Sequence, residues 1–135
     1  MCTKILTFWL LLISVCSCDS FKTDNQKVGP PKIKFFSDTL NFGKIRRGDS
    51  AMVCFRFENI GYGALEINHL ELGCSCCVTE FSNLNHKFYH GEGDKIFVQY
   101  LNGKDFRDGV ITKIFVVQSN ALPSINVLTI QGLVQ

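Results

Sequence analysis

No stretch of this chain is long and apolar enough to span a bilayer. Its longest apolar run, Ile5 to Ile13, falls well short of the roughly 20 residues a membrane helix needs. No segment reads as a helix. An excess of one charge is missing too: 14 Lys and Arg face 12 Asp and Glu, a net charge of +2. Neither nucleic acid nor another acidic polymer is therefore implied as a partner. The pair Arg46-Arg47 lacks interleaved aromatics and reads as a solvated turn. The chain has no H-E-x-x-H, P-loop, G-x-G-x-x-G or nucleophile elbow. Its three histidines and scattered carboxylates form no acid/base pair by spacing. Asn-x-Ser/Thr does not occur. No cofactor and no small-molecule substrate are expected, and the chain is read as non-enzymatic.

Cysteine, by contrast, is abundant, with seven in 135 residues. What so many thiols mean depends on the compartment. The N-terminus addresses that: one lysine, then Ile5 to Ile13, is a secretory signal. The run ends in Val15-Cys16-Ser17-Cys18, which resembles a bacterial lipobox with Val15 three residues before Cys18 and small Ser17 just before it. Cys16 fits poorly as the acceptor, because Val15 would then have to be the small residue. Residues 1–17 are thus expected to be a lipoprotein signal peptide, with Cys18 the lipidated residue of the mature chain. Several acyl chains, each buried CH₂ contributing about 0.8 kcal/mol, hold a protein stably to a membrane. The expected location is the bacterial cell envelope, facing the periplasm or the cell surface. Residues 18–31 are polar, aperiodic and end in Gly29-Pro30-Pro31, a flexible tether reaching at most roughly 40 Å when extended. Four thiols remain beyond it: Cys54, Cys74, Cys76 and Cys77.

Residues 32–135 carry the period-2 alternation of strands. Ile33 and Phe35 share a face, as do Leu40 and Phe42. Val53, Phe55 and Phe57 alternate with Cys54, Arg56 and Glu58, placing Cys54 on the polar face. Leu65 and Ile67 are out of phase with Leu70 and Leu72, which predicts a β-bulge near Asn68-His69. Ile96, Val98 and Tyr100, then Ile111, Phe115 and Val117, then Leu128, Ile130 and Val134 complete the series. Phe97 falls on the outward face of its strand, as a contact patch or beneath a covering loop. The expected fold is all-β, an antiparallel Ig-like β-sandwich of about seven strands.

These pieces resemble the bacterial domain-of-unknown-function 1573 family, an Ig-like group related to Hydin-type modules. The resemblance rests on Phe42-Gly43-Lys44-Ile45, Gly48-Asp49 and Phe55-Arg56-Phe57-Glu58-Asn59-Ile60-Gly61. Leu65 and Ile67, Gly91-Glu92, Ser119-Asn120 and Leu128 to Val134 follow in the family's order. The family's cysteine pair falls on Cys74 and Cys76. Ser75 stands for its glycine, Cys77 for its threonine and His90 for its proline. The resemblance implies an envelope β-sandwich, frequently lipid-anchored, with no established reaction.

Gly73-Cys74-Ser75-Cys76-Cys77 is the place to look for chemistry. Adjacent Cα atoms lie about 3.8 Å apart, too close for an unstrained Cys76–Cys77 bridge. Cys74 and Cys76 reach each other only if the chain turns tightly. Cys54 could pair with a member of the cluster, so Cys54, Cys74, Cys76 and Cys77 are all disulfide candidates. Two or three thiolates suit soft Cu(I), with Cys74, Cys76, Cys77 and His69 as candidate ligands. Cys74-x-x-Cys77 with His86 and His90 superficially matches a zinc pattern, but its spacer is short. Thiol–disulfide exchange needs a nearby cation or helix N-terminus, and no basic residue lies between His69 and His86. The expected function is a structural or interaction module with an envelope protein as partner. The alternative is a copper-type or redox accessory protein using Cys74, Cys76 and Cys77.

Overall fold

A computed structural model describes residues 27–105 and 107–135. The expected signal peptide and Cys18 lie outside the described residues. Eight strands run in the order β1 (Ile33–Phe35), β2 (Thr39–Ile45), β3 (Ser50–Asn59), β4 (Ile67–Leu72), β5 (Cys77–Glu80), β6 (Gly93–Leu101), β7 (Gly109–Ser119) and β8 (Ile125–Val134). One helical turn, α1 (Asn102–Asp105), joins β6 to β7. The strands form two four-stranded sheets, β1-β3-β6-β5 and β2-β8-β7-β4. They meet face to face: Phe55 of one sheet packs edge-on against Phe115 of the other, with ring centroids 5.0 Å apart.

The alternation in sequence is the alternation in space. Phe55, Phe57, Ile96, Val98 and Tyr100 point inward from the first sheet, and Ile111, Phe115, Val117, Leu128, Ile130 and Val134 from the second. The register of β4 against β7 shifts between Ile67 and His69, so the bulge expected there brings Leu70 and Leu72 back against the core.

Two features depart from the sequence reading. The eighth strand is β5, which pairs with β6 through only four residues, too few for an alternation to register in the sequence. The sandwich is also not wholly antiparallel, because β2 runs parallel to β8. The physical reason is that the chain crosses from the first sheet to the second at Phe36 to Asp38 without reversing. A strand antiparallel to β3 in one sheet thereby continues as a parallel edge in the other.

The close approach of β2 explains a glycine in β8. The ring of Phe42 lies over Gly132, where a Cβ would overlap it, and stacks on Tyr100 at 5.4 Å. Phe42 can cross to the facing sheet only because position 132 has no side chain.

The segment read as a tether has an ordered end. Lys27 Nζ lies 5.4 Å from the centroid of the Tyr62 ring, and Gly29 packs against the same side chain.

Candidate functional site

β4 ends at Leu72, and the chain turns through Gly73 to Cys76 before entering β5. The turn is tight because Cys77 N–H donates to Cys74 C=O at 3.5 Å. On the far side, Leu101 N–H donates to Cys76 C=O at 2.8 Å, which fixes the cluster to the end of β6. Within this turn Cys74 and Cys76 are joined by a disulfide with their Cα atoms 5.3 Å apart. An extended strand would hold residues i and i+2 roughly 6.6 Å apart, so the turn draws the pair together. A bridge across so short a loop stabilises the fold modestly, by roughly 1.6 kcal/mol on the loop-entropy model.

Cys77 is buried and holds no bridge among the described residues. Its thiol lies 3.6 Å from Cys74 Sγ. Since Cys74 has no proton to give, the Cys77 S–H donates. The three sulfurs lie within 4.8 Å of one another.

Cys77 faces Tyr100 across the β5–β6 pair and looks onto a polar network that the sequence reading did not find. Lys113 Nζ contacts Asp105 Oδ2 at 2.9 Å. The same carboxylate accepts the Tyr100 hydroxyl at 2.9 Å. Fully buried Asn102 completes the group, donating to Arg107 C=O at 2.8 Å and accepting Gly48 N–H at 2.7 Å. The hydrogen bond from Lys113 leads the effects holding the Asp105 carboxyl below the usual carboxylate range. Burial pushes the Cys77 thiol up. The Lys113 charge opposes that shift, and the Asp105 charge adds to it. Burial likewise raises Tyr100 above the usual phenol value. One signal could have revealed Lys113: it falls in phase with Ile111 and Phe115, a charge on an apolar face. The missing cation beside the thiols therefore comes from a strand more than thirty residues away in sequence.

The other candidate residues are not brought to this site. Cys54 sits on the outward face of β3 opposite Phe97, whereas Cys77 faces the core opposite Tyr100. Two strand spacings and three residues of offset separate Cys54 and Cys77 by roughly 14 Å. His69 is exposed on β4, about five residues and so roughly 16 Å short of Cys74. His86 packs edge-on to Phe88, and His90 stacks on Tyr62 at 4.6 Å while its Nδ1 meets Gly61 C=O at 2.9 Å. Both belong to a different part of the fold. With Cys74 and Cys76 joined, the cluster offers a metal one thiol and no imidazole. That is a poor donor set for copper or zinc. Phe97 stays on the outward surface, about one third exposed.

The family described as "Protein of unknown function (DUF1573)" matches residues 33–134, the whole sandwich. The chain belongs to this family. No curated protein matches it. Among solved structures, a protein of unknown function from Porphyromonas gingivalis W83 is similar over 76% of this chain, with a TM-score of 0.66 and 11% identity. The chain spans 46% of that protein's length. The PapD-like domain 7 of human CEP192 matches at TM-score 0.57 and 11% identity, over 78% of this chain and 87% of that one. The VesB protease of Vibrio cholerae matches at TM-score 0.57 and 10% identity, over 82% of this chain but 33% of the protease. At these identities the likeness is one of fold.

Proposed function

We propose that this DUF1573 protein is a lipid-anchored component of the bacterial cell envelope. On this reading it has no enzymatic activity, and its sandwich docks an envelope protein. The observation that carries the docking role is the outer face of the β7–β8 pair. Its outward positions are Val110, Thr112, Ile114, Val116 and Gln118 on β7, and Ile125, Val127, Thr129, Gln131 and Leu133 on β8. None is charged. Val110 is 81% exposed, and Ile114, Ile125 and Val127 are each more than half exposed. Six of these ten positions are aliphatic, a monomer rarely leaves a large apolar patch open to water, and the centres of protein interfaces are depleted in charge in the same way. The outer face of the first sheet differs, since there Arg56, Lys95 and Glu80 surround Phe97.

The anchoring half of the proposal rests on Val15-Cys16-Ser17-Cys18 and on the polar residues 18–31, which would hold the sandwich close to the membrane. The family and the PapD-like likeness support a module without its own reaction.

A photo-crosslinking residue at position 114, introduced in the native bacterium, tests the docking face. One discrete protein adduct is expected, and Val127→Lys should abolish it while leaving the thermal midpoint within about 3 °C, as a surface change does. An adduct pattern indifferent to Val127→Lys would remove this face from the account.

A further inference from the structure

The disulfide and the thiol at the end of the sandwich are placed to exchange. Cys74 and Cys77 are the two ends of a hydrogen-bonded turn. Such a turn holds its end Cα atoms within about 7 Å, which overlaps the roughly 4.4–6.8 Å over which a disulfide closes. Cys74 can therefore be bridged to position 76 or to position 77 with β4 and β5 left in place. Cys77 Sγ is already 3.6 Å from Cys74 Sγ.

We infer that Cys74, Cys76 and Cys77 form an internal exchange unit, with Cys74 the shared partner of two alternative bridges. The Cys77 thiolate attacks Cys74 Sγ. The Cys74–Cys77 bond forms as the Cys74–Cys76 bond breaks, and the electron pair leaves on Cys76 Sγ. Cys76 then takes up a proton, replacing the one Cys77 gave to solvent. One disulfide and one thiol stand on each side, so no oxidant or reductant is consumed.

Displacement at sulfur requires attack from behind the breaking bond. With an S–S bond of about 2.0 Å, an in-line arrangement would put Cys77 and Cys76 Sγ about 5.6 Å apart. The observed limit is 4.8 Å. Cys77 thus rests beside the bond, and the step includes a side-chain rotation. The groups that face its thiol are Lys113 from β7, Asp105 from α1 and Tyr100 from β6. The Lys113 ammonium favours the thiolate. Burial and Asp105 disfavour it more, which holds the thiol above its ordinary range. Exchange is accordingly slow near neutral pH and speeds up as the thiolate fraction grows.

Differential alkylation of the full-length protein in detergent tests this. The protein is held at a series of pH values, quenched in acid, unfolded and labelled there with one maleimide. It is then reduced and labelled with a second, and tandem mass spectrometry reads each label residue by residue. The first label is expected on Cys54 throughout, and on Cys76 as well as Cys77 in proportions that relax to a plateau. The relaxation should accelerate about tenfold per pH unit below the Cys77 pKa. Cys76→Ser, oxidised in a glutathione redox buffer, should carry a Cys74–Cys77 bridge. First label confined to Cys77 and Cys54 at every pH would overturn the inference. Should Cys76→Ser fail to fold, the wild-type time course decides alone.

Discussion

Asn59→Ala is expected to destabilise the domain by about 3–5 kcal/mol, because it orphans several backbone groups at once. The side chain is fully buried at the end of β3. Its amide donates to Gly63 C=O and to Phe88 C=O, both at 2.8 Å. Its carbonyl oxygen accepts Gly61 N–H at 2.9 Å and Lys32 N–H at 3.2 Å. One residue thereby ties together the start of β1, the turn after β3 and the segment that precedes β6. Each bond is worth about 1 kcal/mol net, and each buried group left unpaired costs about 1–3 kcal/mol. Gly61 belongs to the same arrangement, since a Cβ there would collide with the backbone of Pro30, Pro31 and Lys32. For a domain of this size the expected fall in thermal midpoint is roughly 15–30 °C. Urea denaturation followed by circular dichroism would measure it. A loss under about 1 kcal/mol would mean that Asn59 does not organise this end of the sandwich.

Phe57→Ala is expected to cost about as much, 3–5 kcal/mol, by a different route. Phe57 is 2% exposed. Its ring meets Phe88 edge-on at 5.2 Å, and Phe81 and Phe35 at 6.0 Å each. Removing it opens a cavity that three aromatic neighbours on three segments cannot fill without moving their backbones. Phe97→Ala on the opposite face of the first sheet serves as the internal comparison. It removes a surface ring and should cost less than about 1 kcal/mol. Chemical denaturation of both variants decides. Equal losses would contradict the assignment of inner and outer faces.

The fold was legible because most strands have one face in the core, so alternation carried nearly all the information. Val53 to Phe57 and Ile96 to Tyr100 announce their inward residues without help. The phase break around Asn68-His69 revealed even a bulge. What was not legible is what depends on non-local pairing. β5 is too short to alternate visibly, and the parallel β2–β8 edge follows from a change of sheet that leaves no local mark. The thiol site divides the same way. Three cysteines in four residues stand out in any reading, yet the turn that joins Cys74 to Cys76 is set by contacts with β6 and β7. Lys113, Asp105 and Tyr100 reach Cys77 only through the β5–β6 and β6–α1–β7 connections. The apolar face of β7 and β8 was missed for a related reason. Val110, Ile114, Ile125 and Val127 are the alternates of the inward residues Phe115, Val117, Leu128 and Ile130, and alternation alone does not mark which outward residues stay uncovered.

The proposed anchoring requires that the mature chain begin, in the cell, at a lipid-modified cysteine. Intact-mass and N-terminal fragment analysis of the protein purified from bacterial membranes measures this directly. The expected first residue is Cys18, carrying a thioether-linked diacylglycerol and an acylated amine, and Cys18→Ser should appear unlipidated and outside the membrane pellet. A mature chain that begins elsewhere without lipid, or a Cys18→Ser protein still held in the membrane, would contradict it.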